Sequence, residues 1–213
     1  SIREGSYMPN PVRRKEIPKP DGGVRKLGIP TVVDRVIQQA IAQKLQNIWE
    51  PLFSDSSYGY RPKRSAGQAI QKVKEYAEEG YRYAVSVDLS KYFDTLNHEL
   101  LMNLLHKQIQ DMRVLSLIKK YLKSGVMENG VVCKTEEGSP QGGPLSPLLA
   151  NIYLNEFDWE MNNRGVKLVR YADDIVVFAK SKRAAERQLE SCRKYLEGRL
   201  RLKMNTEKSK VTS

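Results

Sequence analysis

Val169-Arg170-Tyr171-Ala172-Asp173-Asp174-Ile175-Val176-Val177-Phe178 is an apolar, β-branched stretch broken at its centre by two adjacent carboxylates. Val, Ile, Phe and Tyr favour strands, whereas Asp is depleted in them and tolerated at tight turns, so the stretch predicts a β-hairpin with an acidic tip. Two like charges side by side at a turn repel, and the arrangement costs stability unless a multivalent cation neutralises it. A solvated turn would explain a bare Asp-Asp pair. A third carboxylate changes the reading. Ala84-Val85-Ser86-Val87-Asp88-Leu89 is a second short apolar strand, and it delivers Asp88 at its C-terminal end, where open sheets commonly place their ligands.

Three carboxylates on adjacent strand ends can hold two hard cations about 3.5–4 Å apart, the arrangement that clamps the attacking and leaving oxygens of an in-line phosphoryl transfer. Mg²⁺ suits such a site, because it binds through one or two carboxylates and completes its shell with water and substrate phosphates; Mn²⁺ is an acceptable substitute. With 2 His and 2 Cys in the chain, no nitrogen or sulfur cluster competes for the metal. Composition agrees with a polyanionic partner: 36 Lys+Arg against 25 Asp+Glu give a net charge of +11. The surplus is placed rather than spread, since Arg13, Arg14, Lys15, Lys19, Arg25 and Lys26 crowd around a Pro/Gly turn. A chain of 213 residues with 40% hydrophobic content can bury a real core, as one large domain or two small lobes. Cys133 and Cys192 form no disulfide framework, which suits a reducing compartment, and no apolar run is long enough to span a bilayer.

Helical and strand periods alternate along the chain. Val12 to Ile17 and Val24 to Ile29 predict a basic hairpin around Pro18-Lys19-Pro20-Asp21-Gly22-Gly23, followed by a helix from Val33 to Trp49 that Pro51 ends. Ser65 and Gln68 form a capping-box pattern for a helix stopped by Gly80. Helical segments are expected near Asn97 to Ile109 and Asp111 to Ser124, with a hairpin from Val126 to Lys134 turning at Asn129-Gly130. Gly138 to Pro147 carries three glycines and three prolines and demands a fixed, non-helical backbone before a helix from about Leu148 to Met161. A last helix runs through Ala185, Leu189, Cys192 and Leu196 to Gly198, and Leu200 to Val211 reads as a turn between short strands. His98 and His106 read as ordinary helix residues.

The ordered set Ile17-Pro18-Lys19-Pro20-Asp21-Gly22-Gly23-Val24-Arg25, Tyr58-Gly59-Tyr60-Arg61-Pro62, Asp88-Leu89-Ser90-Lys91-Tyr92-Phe93-Asp94, Ser139 to Pro147, Tyr171-Ala172-Asp173-Asp174 and Asn205-Thr206-Glu207-Lys208 resembles the bacterial group II intron reverse transcriptase family. Six motifs in the expected order cover nearly the whole chain. The resemblance implies an α+β fold with an α/β-like palm: the fingers and palm of a right-hand polymerase, with an antiparallel palm sheet and packed helices. Residues 1–80 would be fingers, 81–110 palm with the first catalytic Asp, 111–140 a return to the fingers, and 141–213 palm. Thumb, maturase, DNA-binding and endonuclease regions would lie beyond Ser213.

It also implies roles. Asp88 and Asp173 would bridge two Mg²⁺ ions, with Asp174 supporting them and the Leu89 carbonyl as a further ligand. Lys19 and Arg25 would grip the nucleotide triphosphate, and Gln141 would contact the nucleotide. Phe93 would lie beneath its sugar and exclude a 2′-OH, while Tyr92, on an alternating strand, would point away; core packing stays open for both rings. Gly142 and Gly143 would let backbone approach template. Arg61 would contact template phosphate or serve as a structural arginine, and Lys208 would stand near the triphosphate as a proton donor to pyrophosphate. The implied partners are an RNA template, intron RNA, a DNA primer, dNTPs and a second copy of the chain, in a bacterial cytoplasm. Three alternatives stay open: a nucleotidyl cyclase on a similar palm, a noncatalytic RNA-binding splicing module, and a reverse transcriptase of the retron or diversity-generating type.

Overall fold

The computed structural model describes residues 1–18, 22–128, 130–139 and 141–213; Lys19 and Asn129, named above, lie outside them. In chain order the elements are β1 (Val12–Pro18), β2 (Val24–Ile29), α1 (Val32–Trp49), α2 (Ala66–Glu78), β3 (Tyr83–Val87), α3 (His98–His106), α4 (Met112–Lys123), β4 (Val126–Glu128), β5 (Val131–Cys133), α5 (Ser146–Asn163), β6 (Lys167–Tyr171), β7 (Asp174–Ala179), α6 (Lys182–Gly198) and β8 (Lys210–Thr212), with 3-10 turns at Glu50–Leu52 and Tyr92–Asp94. Packing divides the chain into a first unit, Ser1–Ile48 with Phe93–Leu149, and a second, Trp49–Tyr92 with Ala150–Ser213. These boundaries fall elsewhere than the motif-based division of the sequence, because motifs mark chemistry and units mark packing.

The first unit holds a four-stranded sheet in the order β2-β1-β4-β5. The basic hairpin β1–β2 is antiparallel from Arg13↔Ile29 to Pro18↔Val24, and β1 meets β4 in parallel through Val12↔Val126. Asn97 and Asp111 cap α3 and α4 by accepting from the Leu100 and Arg113 backbone N–H groups. These helices pack on each other and bury Leu101, Leu105, Ile118 and Leu122 almost completely. A buried carboxylate, Asp34 of α1, accepts from the hydroxyls of Thr31 (2.6 Å), Tyr7 (2.8 Å) and Tyr121 (3.2 Å), so it ties the N-terminal segment to α1 and α4. Burial pushes its pKa up, but hydrogen bonds from Thr31, Tyr7 and Asn10 outweigh burial and hold it below the ordinary carboxylate value.

The second unit carries a four-stranded sheet, β6-β7-β3-β8, in which each neighbouring pair is antiparallel. Its parity explains its residues. Val85 and Val87 stand opposite Val177 and Ile175, and Leu168 and Arg170 opposite the same two residues, so all six side chains share one face, and all are buried. The other face carries Phe178, Val169 and Val176, which pack with Tyr58, Ala69 and Tyr76 around α2. The Tyr76 and Phe178 rings lie 5.4 Å apart. Helix α6, capped by Ser181, buries Ala185, Cys192 and Leu196 and packs on β3, β7 and β8.

Three local expectations need correction. Tyr92 and Phe93 lie on a 3-10 turn rather than an alternating strand, because β3 ends at Val87. Between Leu200 and Val211 the chain forms one strand, β8, and a single bridge, Leu89↔Met204, in place of two strands. The helix expected from Leu148 begins at Ser146, since Pro147 is compatible with a first helical turn.

At the N-terminus of α2 the capping box forms: Ser65 Oγ accepts from the Gln68 N–H at 3.3 Å, and Gln68 Oε1 accepts from the Ser65 N–H at 2.9 Å. Ser65→Ala should therefore destabilise the chain by about 1 kcal/mol, lowering Tm by about 2–4 °C. Thermal unfolding followed by circular dichroism checks this, and an unchanged Tm would show that α2 needs no cap.

Candidate active site

The acidic residues meet at one end of the second unit's sheet. Strand β6 pairs with β7 up to Tyr171↔Asp174, leaving Ala172 and Asp173 as a two-residue turn. Ala172 has φ +59°, the left-handed value that a II′ turn requires at its first position and that L-residues rarely adopt. Gly59 packs against this turn so closely that a Cβ on it would fall 2.3 Å from the Ala172 nitrogen. Only a glycine fits there.

Asp88 follows β3 directly. Val87 pairs with Ile175, so extending the register by one residue sets Asp88 across from Asp174 on the same face. The backbone of Asp88 is held on its other side: its N–H donates to Ser209 Oγ at 3.0 Å, and its carbonyl accepts from the Asn205 N–H at 2.8 Å. The Ser90 N–H donates to the Lys203 carbonyl at 2.8 Å. These two backbone bonds flank Leu89, so Leu89 and Met204 are a non-hydrogen-bonded pair. The Leu89 carbonyl is therefore directed toward the β7 side, where the acidic turn lies.

Electrostatics follow from this convergence. Burial, then the charges of Asp173 and Asp88, push the Asp174 carboxyl above its ordinary pKa. Among the described residues no three His, Cys, Asp or Glu side chains stand close enough to form a ready metal cage. Mg²⁺ needs none, because it binds through one or two carboxylates and fills its shell with water and phosphate oxygens. An all-oxygen donor set of mutually repelling carboxylates fits such a cation. Lys208 is exposed on the turn after Asn205, whose Oδ1 accepts from the Glu207 and Lys208 N–H groups at 3.1 and 3.3 Å. It precedes Ser209, the partner of Asp88.

Arg61 is a structural arginine. It is 8% exposed, forks onto Glu50 Oε1 through Nε (3.0 Å) and Nη2 (2.8 Å), donates from Nη1 to the carbonyls of Ser54 (2.7 Å) and Ser57 (2.8 Å), and lies over the Phe53 ring. Its guanidinium is bonded within its own loop. Tyr92 is likewise core, donating its hydroxyl to the Ala150 carbonyl at 2.6 Å.

Within the first unit the Gly/Pro segment ties together the other candidates. The Ser139 N–H donates to the Phe93 carbonyl at 2.6 Å, and the Gly138 N–H to the Leu96 carbonyl at 2.8 Å, so half-buried Phe93 is anchored to this segment. The Gly28 N–H donates to the Gln141 carbonyl at 2.7 Å, which joins the segment to β2, the strand of exposed Arg25. Gly142, at φ +118°, would place a Cβ 2.9 Å from the Gly28 carbonyl oxygen, and a Cβ on Gly143 would meet Gln38 Oε1 at 2.5 Å. The space that each glycine leaves is thus filled from within the protein. His98, read from sequence as an ordinary helix residue, is buried and brings Nε2 to 2.6 Å from the Gly138 carbonyl; its neighbourhood in sequence gives no sign of this.

The family described as reverse transcriptase (RNA-dependent DNA polymerase) matches residues 17–213. Protein YkfC of Escherichia coli (strain K12) is 40% identical over 99% of this chain and 65% of that protein. The group II intron-encoded protein LtrA of Lactococcus lactis subsp. cremoris is 46% identical over 74% of this chain and 26% of that protein. The chain thus spans less than two thirds of either relative. Among solved structures, telomerase from Candida albicans shares the fold at 14% identity with a TM-score of 0.71, over 99% of this chain and 43% of that one. From the family match, the relatives and the shared fold together, the chain belongs to the reverse transcriptase family.

Proposed function

We propose that the chain carries RNA-directed DNA polymerase activity, joining dNTPs to a primer on an RNA template, and that it binds intron RNA. The observation that carries this reading is the convergence of Asp88, Asp173 and Asp174, felt as an upward push on the Asp174 carboxyl. Asp88, Asp173 and the Leu89 carbonyl would hold two Mg²⁺ ions, with Asp174 beside them. When bound, the ions would supply charge stabilisation at the attacking and leaving oxygens. The chain's own side chains do the rest. Arg25 would grip triphosphate oxygens with its planar fork, and Lys19 would serve as a point charge on the same group. Gln141 would contact the nucleotide, and Phe93 would exclude a 2′-OH from beneath the sugar. Gly142 and Gly143 would shape the backbone that approaches the template. Lys208 would protonate departing pyrophosphate. Residues 1–80 and 111–140 act as fingers and 81–110 and 141–213 as palm in this reading.

RNA binding is supported by charge that the fold leaves free. In the basic hairpin Lys26 pairs with Glu16 at 3.8 Å, whereas Arg13, Lys15 and Arg25 are exposed and have no ion-pair partner among the described residues. No helix among the described residues is long and apolar enough to cross a membrane. A bacterial cytoplasm and a second copy of the chain as partner belong to the same reading.

RNA-templated primer extension with Mg²⁺ is the direct test. Asp173→Asn should lower extension by at least about 10³-fold while RNA affinity survives, because the chemistry needs the carboxylate and phosphate affinity comes from cations. Extension at the wild-type rate would remove the metal-ligand role. Phe93→Val should raise kcat/KM for rNTP relative to dNTP by about 10-fold or more; an unaltered ratio would make Phe93 a packing residue. The repulsion at Asp174 predicts a stability effect as well. Its pKa is raised on folding, so its contribution favours the folded state below the ordinary carboxylate pKa and is lost as pH rises through the raised value. At pH 7 in EDTA, Asp174→Asn should therefore raise Tm, by about 1–3 °C for an exposed charge, and Mg²⁺ should narrow that gap. Equal melting temperatures in EDTA would show that the repulsion is relieved by solvent alone.

A further inference from the structure

Beneath the acidic turn lies a buried polar network that the chemistry proposed above does not use. Arg170 of β6, Asp158 of α5 and Asn151 of α5 are 0%, 0% and 1% exposed. Asn151 and Asp158 are two helical turns apart and so lie on one face of α5. Arg170 Nε donates to Asp158 Oδ1 at 2.9 Å and Nη2 to Oδ2 at 2.7 Å. The second arm of the fork goes elsewhere. Nη1 donates to Asn151 Oδ1 at 2.9 Å and to the Ala172 carbonyl at 2.7 Å. Asn151 in turn donates from Nδ2 to the Gly59 carbonyl at 2.8 Å, and Gly59 is the residue packed on the Ala172 nitrogen. The backbone of Arg170 is fixed too, its N–H donating to the Ser56 carbonyl and its carbonyl accepting from the Tyr58 N–H, each at 2.8 Å.

A buried ion pair gains little net stability over apolar side chains of similar volume, so stability alone is a poor reason for a fully buried arginine in a strand. What the network does is geometric. The Ala172 carbonyl belongs to the peptide that joins Ala172 to Asp173, and Ala172 holds a left-handed φ that L-residues rarely adopt. A guanidinium clamped by Asp158 on one arm holds that carbonyl with the other. Gly59, steadied by Asn151, closes the opposite side of the turn.

We infer that Arg170, oriented by Asp158 and Asn151, is a positioning residue that locks the Ala172–Asp173 peptide and thereby aims the Asp173 carboxylate at the metal. The inference rests on the reading of Asp173 as a metal ligand. Partners that orient a ligand typically matter 10- to 100-fold in metal affinity or activity.

Two variants of the 213-residue chain test it, with Mn²⁺ binding by electron paramagnetic resonance beside primer-extension kinetics. Arg170→Lys keeps a cation for Asp158 but cannot reach the Ala172 carbonyl at the same time. Asn151→Ala leaves the Arg170–Asp158 pair intact and frees Gly59, so it decides the matter if Arg170→Lys does not fold. Each variant that folds should bind Mn²⁺ about 10- to 100-fold more weakly and lose a similar factor in kcat, with KM for dNTP within about twofold. A lower Tm with unchanged Mn²⁺ affinity and unchanged kcat would make the network merely structural and overturn the inference. Asp173→Asn separates the two levels. If it weakens Mn²⁺ binding while Asn151→Ala does not, the positioning role fails and the metal reading stands; if Asp173→Asn binds Mn²⁺ like the wild type, the metal reading fails and the inference falls with it.

Discussion

Like-charge repulsion at the end of one β-sheet is the constraint around which the second unit is built. Asp173 ends a two-residue turn and Asp174 begins β7, and the register from Val87↔Ile175 brings Asp88 to face them. Left to themselves the carboxylates would spread into solvent. The turn is instead walled on one side by Gly59 and held from below by Arg170. The sheet beneath it is stiff because Val85, Val87, Ile175 and Val177 are all but fully buried on one face. A charged site on an exposed edge thus depends on an apolar platform that leaves the strands no alternative register.

The first unit uses a different device. Its Gly/Pro segment has little regular structure, yet its backbone is bonded to the Phe93 turn through Ser139, to Leu96 through Gly138 and to β2 through Gln141. Ser139 Oγ also donates to Ser146 Oγ at 2.8 Å, linking the segment to the start of α5. Such a loop is fixed by its hydrogen bonds and by side chains that are missing. Gly142 is needed because the Gly28 carbonyl oxygen occupies its Cβ position and its φ is +118°, while the Gln38 side chain lies over Gly143.

Much of this was legible in the sequence, and the reasons divide by range. Local chemistry reads well: the Ser65–Gln68 box, the helical segments beginning near Asn97 and Asp111, the basic hairpin and the acidic hairpin each rest on a few neighbouring residues. The three carboxylates were legible as a set because each follows or interrupts an apolar strand. Side-chain roles that depend on distant partners were not. Arg61 meets Glu50 and two carbonyls of its loop, Tyr92 reaches Ala150, and His98 reaches Gly138, none of which periodicity reveals. Arg170 sits inside an otherwise apolar run, and a charge in such a place must be paired if it is buried. The 3-10 turn at Tyr92–Asp94 was missed because an aromatic pair after a strand favours extended backbone on propensity alone.

Charge placement connects the two units' chemistry without reference to their arrangement. On α6 two of the five basic residues are ion-paired within the helix: Arg193 pairs with Glu190 at 2.6 Å and Glu197 at 3.0 Å, and Lys194 with Glu190 at 3.7 Å. Exposed pairs of this kind add little stability, but they cancel field locally. Among the described residues of the β1–β2 hairpin, Lys26 and Glu16 form a long pair at 3.8 Å, while Arg13, Lys15 and Arg25 are exposed. The open cations of the β1–β2 hairpin suit a phosphate backbone, and the carboxylates of the acidic turn suit a small hard cation. In the proposed function the two kinds of charge would have separate tasks: the hairpin's open cations would meet the polyanion, and the turn's carboxylates the metal.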